Sequence, residues 1–374
     1  MAALGIAIVG TGMIGAVHRR AALLAGAQIR GVAASSAQRA REVAQSWSVA
    51  RAYRDIEELV SDPQVQVVHV CTPNHLHRPM AQAALEAGKH VICEKPLATT
   101  LEDAEALAAL AASRGLVATV PFVYRYHPVV REARARIALG ELGPLHLIHG
   151  SYLQDWLLDP ASNNWRVDPA LGGTSRAFAD IGSHWCDLVE WTSGERFAEV
   201  SAAFATVIAE RGTGSAQSFS TPTATSAMQA VASEDVAAAM FRTGAGTLAS
   251  LTVSQVSAGR HNRLWFEIDG ARASVAFNQE DAERLWIGRP DQREDVFVRG
   301  PGAGSAEQRR LSVLPAGHAQ GYGYCFEAFV ADSYRAIGGE RPEGLPTFTD
   351  GVRSARIVDR VIASARTRAW TTIG

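Results

Sequence analysis

Lys95, Asp180 and His184 are the residues best suited to chemistry in this chain. Lysine is scarce: Lys89 and Lys95 are the only two in 374 residues, and arginine carries nearly all the remaining positive charge. Lys95 sits in Glu94-Lys95-Pro96, directly after the apolar run His90-Val91-Ile92-Cys93, at the end of an expected buried strand. An ammonium there can donate to an oxygen and respond to a changing charge, whereas a guanidinium holds its proton too tightly for that task. Read for structure alone, the same lysine is an exposed loop residue. Asp180 and His184 lie four residues apart in Asp180-Ile181-Gly182-Ser183-His184, so a helix beginning at Asp180 sets both on one face. A carboxylate at a helix start is favoured by the local dipole and can orient an imidazole. That imidazole, with an ordinary pKa of about 6.5, can take a proton from an alcohol near neutral pH. Without such chemistry Asp180 is a plain N-cap and His184 a satisfied core histidine.

A glycine loop supplies the second signal. Gly10-Thr11-Gly12-Met13-Ile14-Gly15 follows an apolar strand and opens a helix. In a dinucleotide site the first glycine permits the tight turn, the second lets a pyrophosphate approach, and the third allows close helix packing. The amides at the helix start then face the phosphates. At the end of the next strand stand Ser35 and Ser36, with Arg39 close behind and no acidic residue among them. Two hydroxyls and a guanidinium tilt the cofactor toward NADP, with NAD still compatible. Alternatively the serines only cap the following helix. Thr72-Pro73-Asn74-His75-Leu76-His77 closes the third strand, at the strand end where ligands bind in open parallel sheets. Thr72, Pro73, Asn74, His77 and Glu94 are therefore expected near the cofactor. Two histidines one residue apart can ligate a metal, but no partner cluster completes a set, and no metal is expected. Tyr126, Gln154, Trp156, Trp165-Arg166 and His318 are polar and aromatic candidates for the lining of a sugar pocket.

These groups need a scaffold, and the apolar pattern provides one. Strands over 4–9, 28–34, 65–71, 90–93 and 116–120 alternate with helices over 13–25, 37–47, 76–87 and 101–113. That alternation predicts right-handed crossovers and a parallel sheet. After Pro121 the pattern changes. A helix over 128–139 leads to strands at 145–154, 200–209, 236–241, 246–256, 263–268, 273–278 and 285–287. They predict an open, mostly antiparallel sheet, with Asp269-Gly270 as a hairpin turn. Gly212 to Ala232, rich in Ser, Thr, Ala and Gly, is expected as a mobile loop. Helices close the chain over 320–337 and 349–366, the second expected to pack back on the first domain. The fold class is thus α/β, with a dinucleotide-binding domain over 1–124 and a second α/β domain over 125–374. A net charge of −2 gives no electrostatic case for nucleic acid or an acidic membrane. Four scattered cysteines, no long apolar window and no cleavable leader lead to the expectation of a soluble, cytoplasmic protein.

Taken in order, GTGMIG, CTPNHLH, EKP and DIGSH resemble the glucose–fructose oxidoreductase, inositol dehydrogenase and rhizopine-catabolism family. The resemblance spans the chain. It implies a Rossmann domain, a C-terminal sheet that often builds dimers or tetramers, and Lys95, Asp180 and His184 as the reacting trio beside a nicotinamide. Trp165-Arg166, Asn262-Arg263 and Pro315-Ala316-Gly317-His318 look like a sugar-oxidising branch that includes levoglucosan dehydrogenases. The expected activity is hydride transfer between a sugar, anhydrosugar or cyclitol hydroxyl and NAD(P). A redox-neutral glycosidase or epimerase, and a non-catalytic sugar or cofactor sensor, are the alternatives.

Overall fold

The computed structural model describes residues 3–213 and 227–374 and divides into two compact units. The first unit runs to Phe122 and adds Ala170–Gly173 and Phe326–Ala355. The second comprises the described parts of Val123–Pro169, Thr174–Cys325 and Arg356–Gly374.

In the first unit the chain runs through β1 (Gly5–Val9), α1 (Met13–Leu24), β2 (Gln28–Ala33), α2 (Ala37–Trp47), β3 (Arg51–Ala52) and α3 (Ile56–Ser61). It continues with β4 (Val67–Val70), α4 (His77–Glu86), β5 (His90–Cys93), α5 (Leu101–Ser113) and β6 (Ala118–Thr119). All strands pair in parallel, in the order β3-β2-β1-β4-β5-β6. β1 and β4 are buried along their whole length, which is why their sequences read as unbroken apolar runs. The order reverses direction between β1 and β4, the crevice where such sheets take ligands. Their C-terminal ends carry Gly10 and Thr72, and the neighbouring β5 carries Glu94 and Lys95. β3 and α3 were not expected from the sequence, being only two and six residues long.

The second unit begins with α6 (Pro128–Ala138) and β7 (Leu145–Leu153). After a short α7 (Pro169–Gly172), whose residues from Ala170 belong to the first unit, come α8 (Ser183–Ser193) and β8 (Phe197–Ala205). Next come β9 (Glu210–Gly212), β10 (Met228–Ala230), β11 (Val236–Thr243), β12 (Leu248–Ser254), β13 (Arg263–Gly270), β14 (Ser274–Asn278), β15 (Arg284–Gly288) and β16 (Glu294–Val298). The chain ends through α9 (Ala306–Leu311), α10 (Tyr322–Ile337), α11 (Phe348–Thr367) and β17 (Thr371–Thr372). The nine-stranded sheet has the order β16-β15-β14-β13-β7-β12-β11-β8-β17, and only its β7–β12 pair is parallel. Ala237, Ala239 and Phe241 of β11 face the core while Ala238 and Met240 face outward, the alternation that one buried sheet face demands. The middle of the expected loop, 214–226, lies outside the described residues; its flanks β9 and β10 pair as an antiparallel ribbon.

The expected Asp269-Gly270 turn is corrected. β13 runs through Gly270, and Ala271 and Arg272 make the turn, closed by Gly270 N–H donating to Ala273 O at 3.0 Å. Gly270 serves close packing: a Cβ there would lie 2.3 Å from the Leu142 carbonyl oxygen. All four cysteines are free and buried. Among the described residues no helix is long and apolar enough to cross a membrane.

Two buried histidines give the fold a pH dependence. Burial pushes His127 down to about 4 and His69 well below its ordinary value. Both stay neutral when folded but protonate on unfolding below about pH 6.5, so the unfolded chain binds more protons and stability falls as pH falls through that window. The urea midpoint should therefore drop between about pH 7.5 and 5, and His127→Phe should make the drop shallower. Equal slopes in the two proteins would contradict this role for His127.

Candidate active site

In the first unit the glycine loop has the shape of a phosphate cradle. Gly10 has φ +92°, and a Cβ on it would lie 2.4 Å from the Cys71 carbonyl. A Cβ on Gly15 would lie 2.3 Å from Gly10 O, so α1 packs directly on the turn. Gly12, by contrast, faces open space, and no side chain caps the start of α1, where Met13 and Ile14 begin the helix. The Thr72 hydroxyl at the end of β4 is buried without a hydrogen-bond partner among the described residues. An open middle glycine, uncapped helix amides and an orphaned hydroxyl are what a dinucleotide pyrophosphate would complete.

The other residues expected at the cofactor divide. Ser36 Oγ accepts the Arg39 N–H at 3.1 Å as the cap of α2, and the Arg39 guanidinium lies 3.4 Å from Glu42. Ser35 beside it is exposed. Asn74 Nδ2 donates to Gly172 O at 2.8 Å, which fixes the turn after Pro73. His77 is buried, with Nδ1 2.6 Å from Pro96 O and Nε2 2.8 Å from Thr72 O, so its ring ties the β4 loop to the β5 loop. Burial pushes this imidazole down while the two carbonyls favour its charged form. Glu94 is also buried. Its Oε2 accepts the Lys95 N–H at 3.1 Å, and its Oε1 lies 3.1 Å from His18 Nε2. Burial works to raise the Glu94 carboxyl, but His18, Lys95 and His77 outweigh it and hold it below the usual range. Lys95 itself is half-buried at the strand end.

In the second unit Asp180 is not an N-cap, which corrects the expected helix start. Ala177 is already helical, and a π-helical turn spans Phe178–Gly182 before α8. Such turns frequently mark functional sites. The segment is capped from outside: Glu234 Oε1 accepts Ser175 Oγ at 2.6 Å, Arg176 N–H at 2.9 Å and Phe178 N–H at 3.0 Å. Neighbouring Asp235 pairs with Arg176 and, at 2.8 Å, with Arg211. Asp235 Oδ2 also takes the amides of Val207 and Ile208. Burial alone would raise the Asp235 carboxyl; the Ile208 amide and the two guanidiniums hold it low instead.

On this anchored segment Asp180 accepts from Arg166 Nε at 3.3 Å and from Gln255 Nε2 at 2.9 Å. Arg166 is fixed in turn by Asn164 Oδ1 at 3.2 Å and by the Trp165 ring, 4.3 Å away. Gln255 is fully buried, and its Oε1 has no partner among the described residues. The His184 ring meets Tyr124 edge-on at 5.1 Å. Behind it the hydroxyls of Tyr124 and Tyr152 lie 2.6 Å apart, Tyr152 donates to Asn262 Oδ1 at 2.7 Å, and Asn262 Nδ2 donates back to Tyr124 at 3.3 Å. Gln154 joins through Nε2 to Asn262 at 3.0 Å and accepts Trp156 Nε1–H at 3.0 Å. Burial keeps both tyrosines protonated.

Of the residues expected at a sugar pocket, Gln154 and Trp156 lie in the Tyr124–Tyr152–Asn262 network and Arg166 lies beside Asp180 and Gln255; Tyr124, Tyr152 and Gln255 were not singled out from the sequence. Tyr126 instead packs its ring against the Arg131 guanidinium at 4.7 Å. The side chain of His318 is exposed, while its carbonyl accepts from Arg299. On β7 and β13, partly exposed His149, Glu267 and Asp269 bring ligand atoms within 4.8 Å of one another, a grouping that sequence spacing did not announce.

Comparison with known proteins agrees with both units. Residues 4–122 match the Gfo/Idh/MocA oxidoreductase family with its NAD-binding Rossmann fold, and residues 130–276 match a Gfo/Idh/MocA C-terminal domain. The levoglucosan dehydrogenase of Pseudarthrobacter phenanthrenivorans is 33% identical over 349 residues, covering 91% of this chain and 88% of that protein. The chain belongs to the Gfo/Idh/MocA family. Within this oxidoreductase family, a solved levoglucosan dehydrogenase in complex with NADH and L-sorbose matches 100% of both chains, with TM-score 0.90 and 30% identity. An inositol dehydrogenase homologue from Azotobacter vinelandii, complexed with NAD+, gives TM-score 0.85 and 29% identity over 99% of this chain and 97% of that one.

The cradle yields a clean test. Gly12→Ala adds a methyl group to open space at negative φ, so the thermal midpoint should stay within about a degree while affinity for NADH falls about tenfold or more. Gly10→Ala should lower stability itself, because of its positive φ and the Cys71 carbonyl. Equal NADH affinity in Gly12→Ala and the unaltered protein would contradict the cradle.

Proposed function

We propose that this protein is an NAD-dependent dehydrogenase that oxidises a hydroxyl of a sugar, anhydrosugar or cyclitol, with Lys95, Asp180 and His184 as its acid-base site. A bound nicotinamide supplies the hydride acceptor at C4. His184 takes the hydroxyl proton, while Asp180 orients the imidazole and stabilises its cation. Lys95 donates to the same oxygen and offsets the negative charge that grows on it. The observation that carries the reading is the company Asp180 keeps. A carboxylate held on one oxygen by Gln255 and on the other by Arg166, on a segment anchored by buried charge, is built to stay still. The names of the similar proteins, levoglucosan and inositol dehydrogenases, point to the same substrate class.

The preference for NAD reverses the tilt drawn from sequence. Ser36 is spent as a helix cap, and Arg39 is paired with Glu42, whose charge opposes a 2′-phosphate. The outward sheet face, with Leu147, Met240 and Leu248 exposed, supports a homodimer or homotetramer. Four free, buried thiols support a reducing compartment such as the cytoplasm.

Lys95→Ala and His184→Ala should each cut turnover by about a hundredfold or more while NADH still binds. A panel of pyranoses, inositols and anhydrosugars, followed by nicotinamide absorbance with NAD and NADP in parallel, provides the assay. Near-normal turnover in either variant overturns the assignment, and faster reduction of NADP than of NAD overturns the cofactor preference.

A further inference from the structure

Beneath Lys95 runs a buried chain of titratable groups to which the proposed reaction gives no task. Glu94 Oε1 lies 3.1 Å from His18 Nε2, and His18 Nδ1 lies 2.9 Å from His69 Nδ1. His69 Nε2 then lies 2.8 Å from the Tyr334 hydroxyl. Both imidazoles are fully buried, and Phe326 closes the His18 ring edge-on at 4.7 Å. The contributors come from α1, β4, the end of β5 and α10, so no single element dictates the contact.

Counting protons leaves one arrangement that satisfies every atom. Two Nδ1 atoms at hydrogen-bond distance need one N–H and one lone pair between them. An ionised Glu94 takes the proton of His18 Nε2–H. A neutral His18 then offers Nδ1 as acceptor, which makes His69 the Nδ1–H tautomer. The lone pair on His69 Nε2 accepts the Tyr334 O–H. The reverse order needs either a second proton on His18 or a proton on Glu94, and leaves the Tyr334 O–H with no acceptor among the described residues. Burial drives His69 toward its neutral form and keeps the Tyr334 hydroxyl protonated, in agreement with the first order.

We propose that His18 and His69 are positioning residues. By donating in series from Tyr334 they hold Glu94 as a carboxylate whose other oxygen clamps the Lys95 amide, and so fix the place and electrostatic surroundings of the Lys95 ammonium. The other titratable groups acting on Glu94 are Lys95, His77, Cys71 and Cys93. His77 is committed to two backbone carbonyls, and burial keeps both thiols protonated. The effect on catalysis rests on the role proposed for Lys95, whereas the order of protons does not.

Two measurements separate these. Nitrogen-15 NMR of histidine-labelled protein should show His18 as the Nε2–H tautomer and His69 as Nδ1–H. An imidazolium at either ring, or the opposite pair of tautomers, overturns the proton order whether or not any sugar is turned over. In kinetics, His18→Leu should lower kcat roughly ten- to hundredfold, the scale of a lost hydrogen bond to a charged group, with KM for the sugar little changed. His18→Gln, which can place an amide N–H near Glu94, should recover most of that loss. Equal kcat in the folded Leu and Gln variants would show that His18 only fills space, and would overturn the positioning role.

Discussion

The reversal of strand order between β1 and β4 is the constraint on which the first unit depends. In an all-parallel sheet every C-terminal strand end lies on one edge, and the reversal opens a crevice there. Three loops follow those ends: the glycine turn, the Thr72–His77 turn and Glu94-Lys95-Pro96. Cross-ties then fix them to one another. The Gly10 turn rests on the Cys71 carbonyl, His77 joins the second loop to the third, and His18 reaches from α1 to Glu94. A lysine on such a loop has a defined position, which an ammonium on an ordinary surface loop does not.

The second unit solves a similar problem with charge. Glu234 and Asp235 are buried acids, and removing a partner from a buried ion is costly enough to force full pairing. Their partners are backbone amides and two guanidiniums, so the segment leading to Asp180 is held at its start. The π-helical turn that follows sets Asp180 outside the regular helix, toward Arg166 and Gln255. Four residues later His184 rests against a closed triangle of Tyr124, Tyr152 and Asn262, whose hydrogen bonds satisfy one another. Rigid surroundings of this kind suit the general-base role proposed for His184, because proton transfer depends on sub-ångström placement.

Much of this was legible in the sequence because it follows local rules. Continuous apolar runs broken by helical stretches announced the parallel sheet, and the glycine spacing announced its turn. Contacts between distant segments were not legible. Nothing near Glu94 in the sequence points to His18, 76 residues away, and nothing near Arg176 points to Glu234. Local rules also misled where tertiary packing overrode them. Asp269-Gly270 has hairpin chemistry, yet Gly270 is there for the approach of Leu142. Ser36 does cap α2, the alternative its position offered, and Arg39 pairs with Glu42 one turn along the same helix. Tyr126 packs on the Arg131 guanidinium, whereas Tyr124, two positions earlier, is the ring that meets His184.

The central claim is that the Lys95 ammonium and the His184 imidazole act on one substrate oxygen. A crystal structure of the protein with NADH and a turned-over sugar tests it most directly. Both nitrogens should lie within about 2.6–3.2 Å of the same hydroxyl, with its carbon facing nicotinamide C4. A productive complex in which either nitrogen sits beyond reach of that oxygen, with no bridging water, would contradict it.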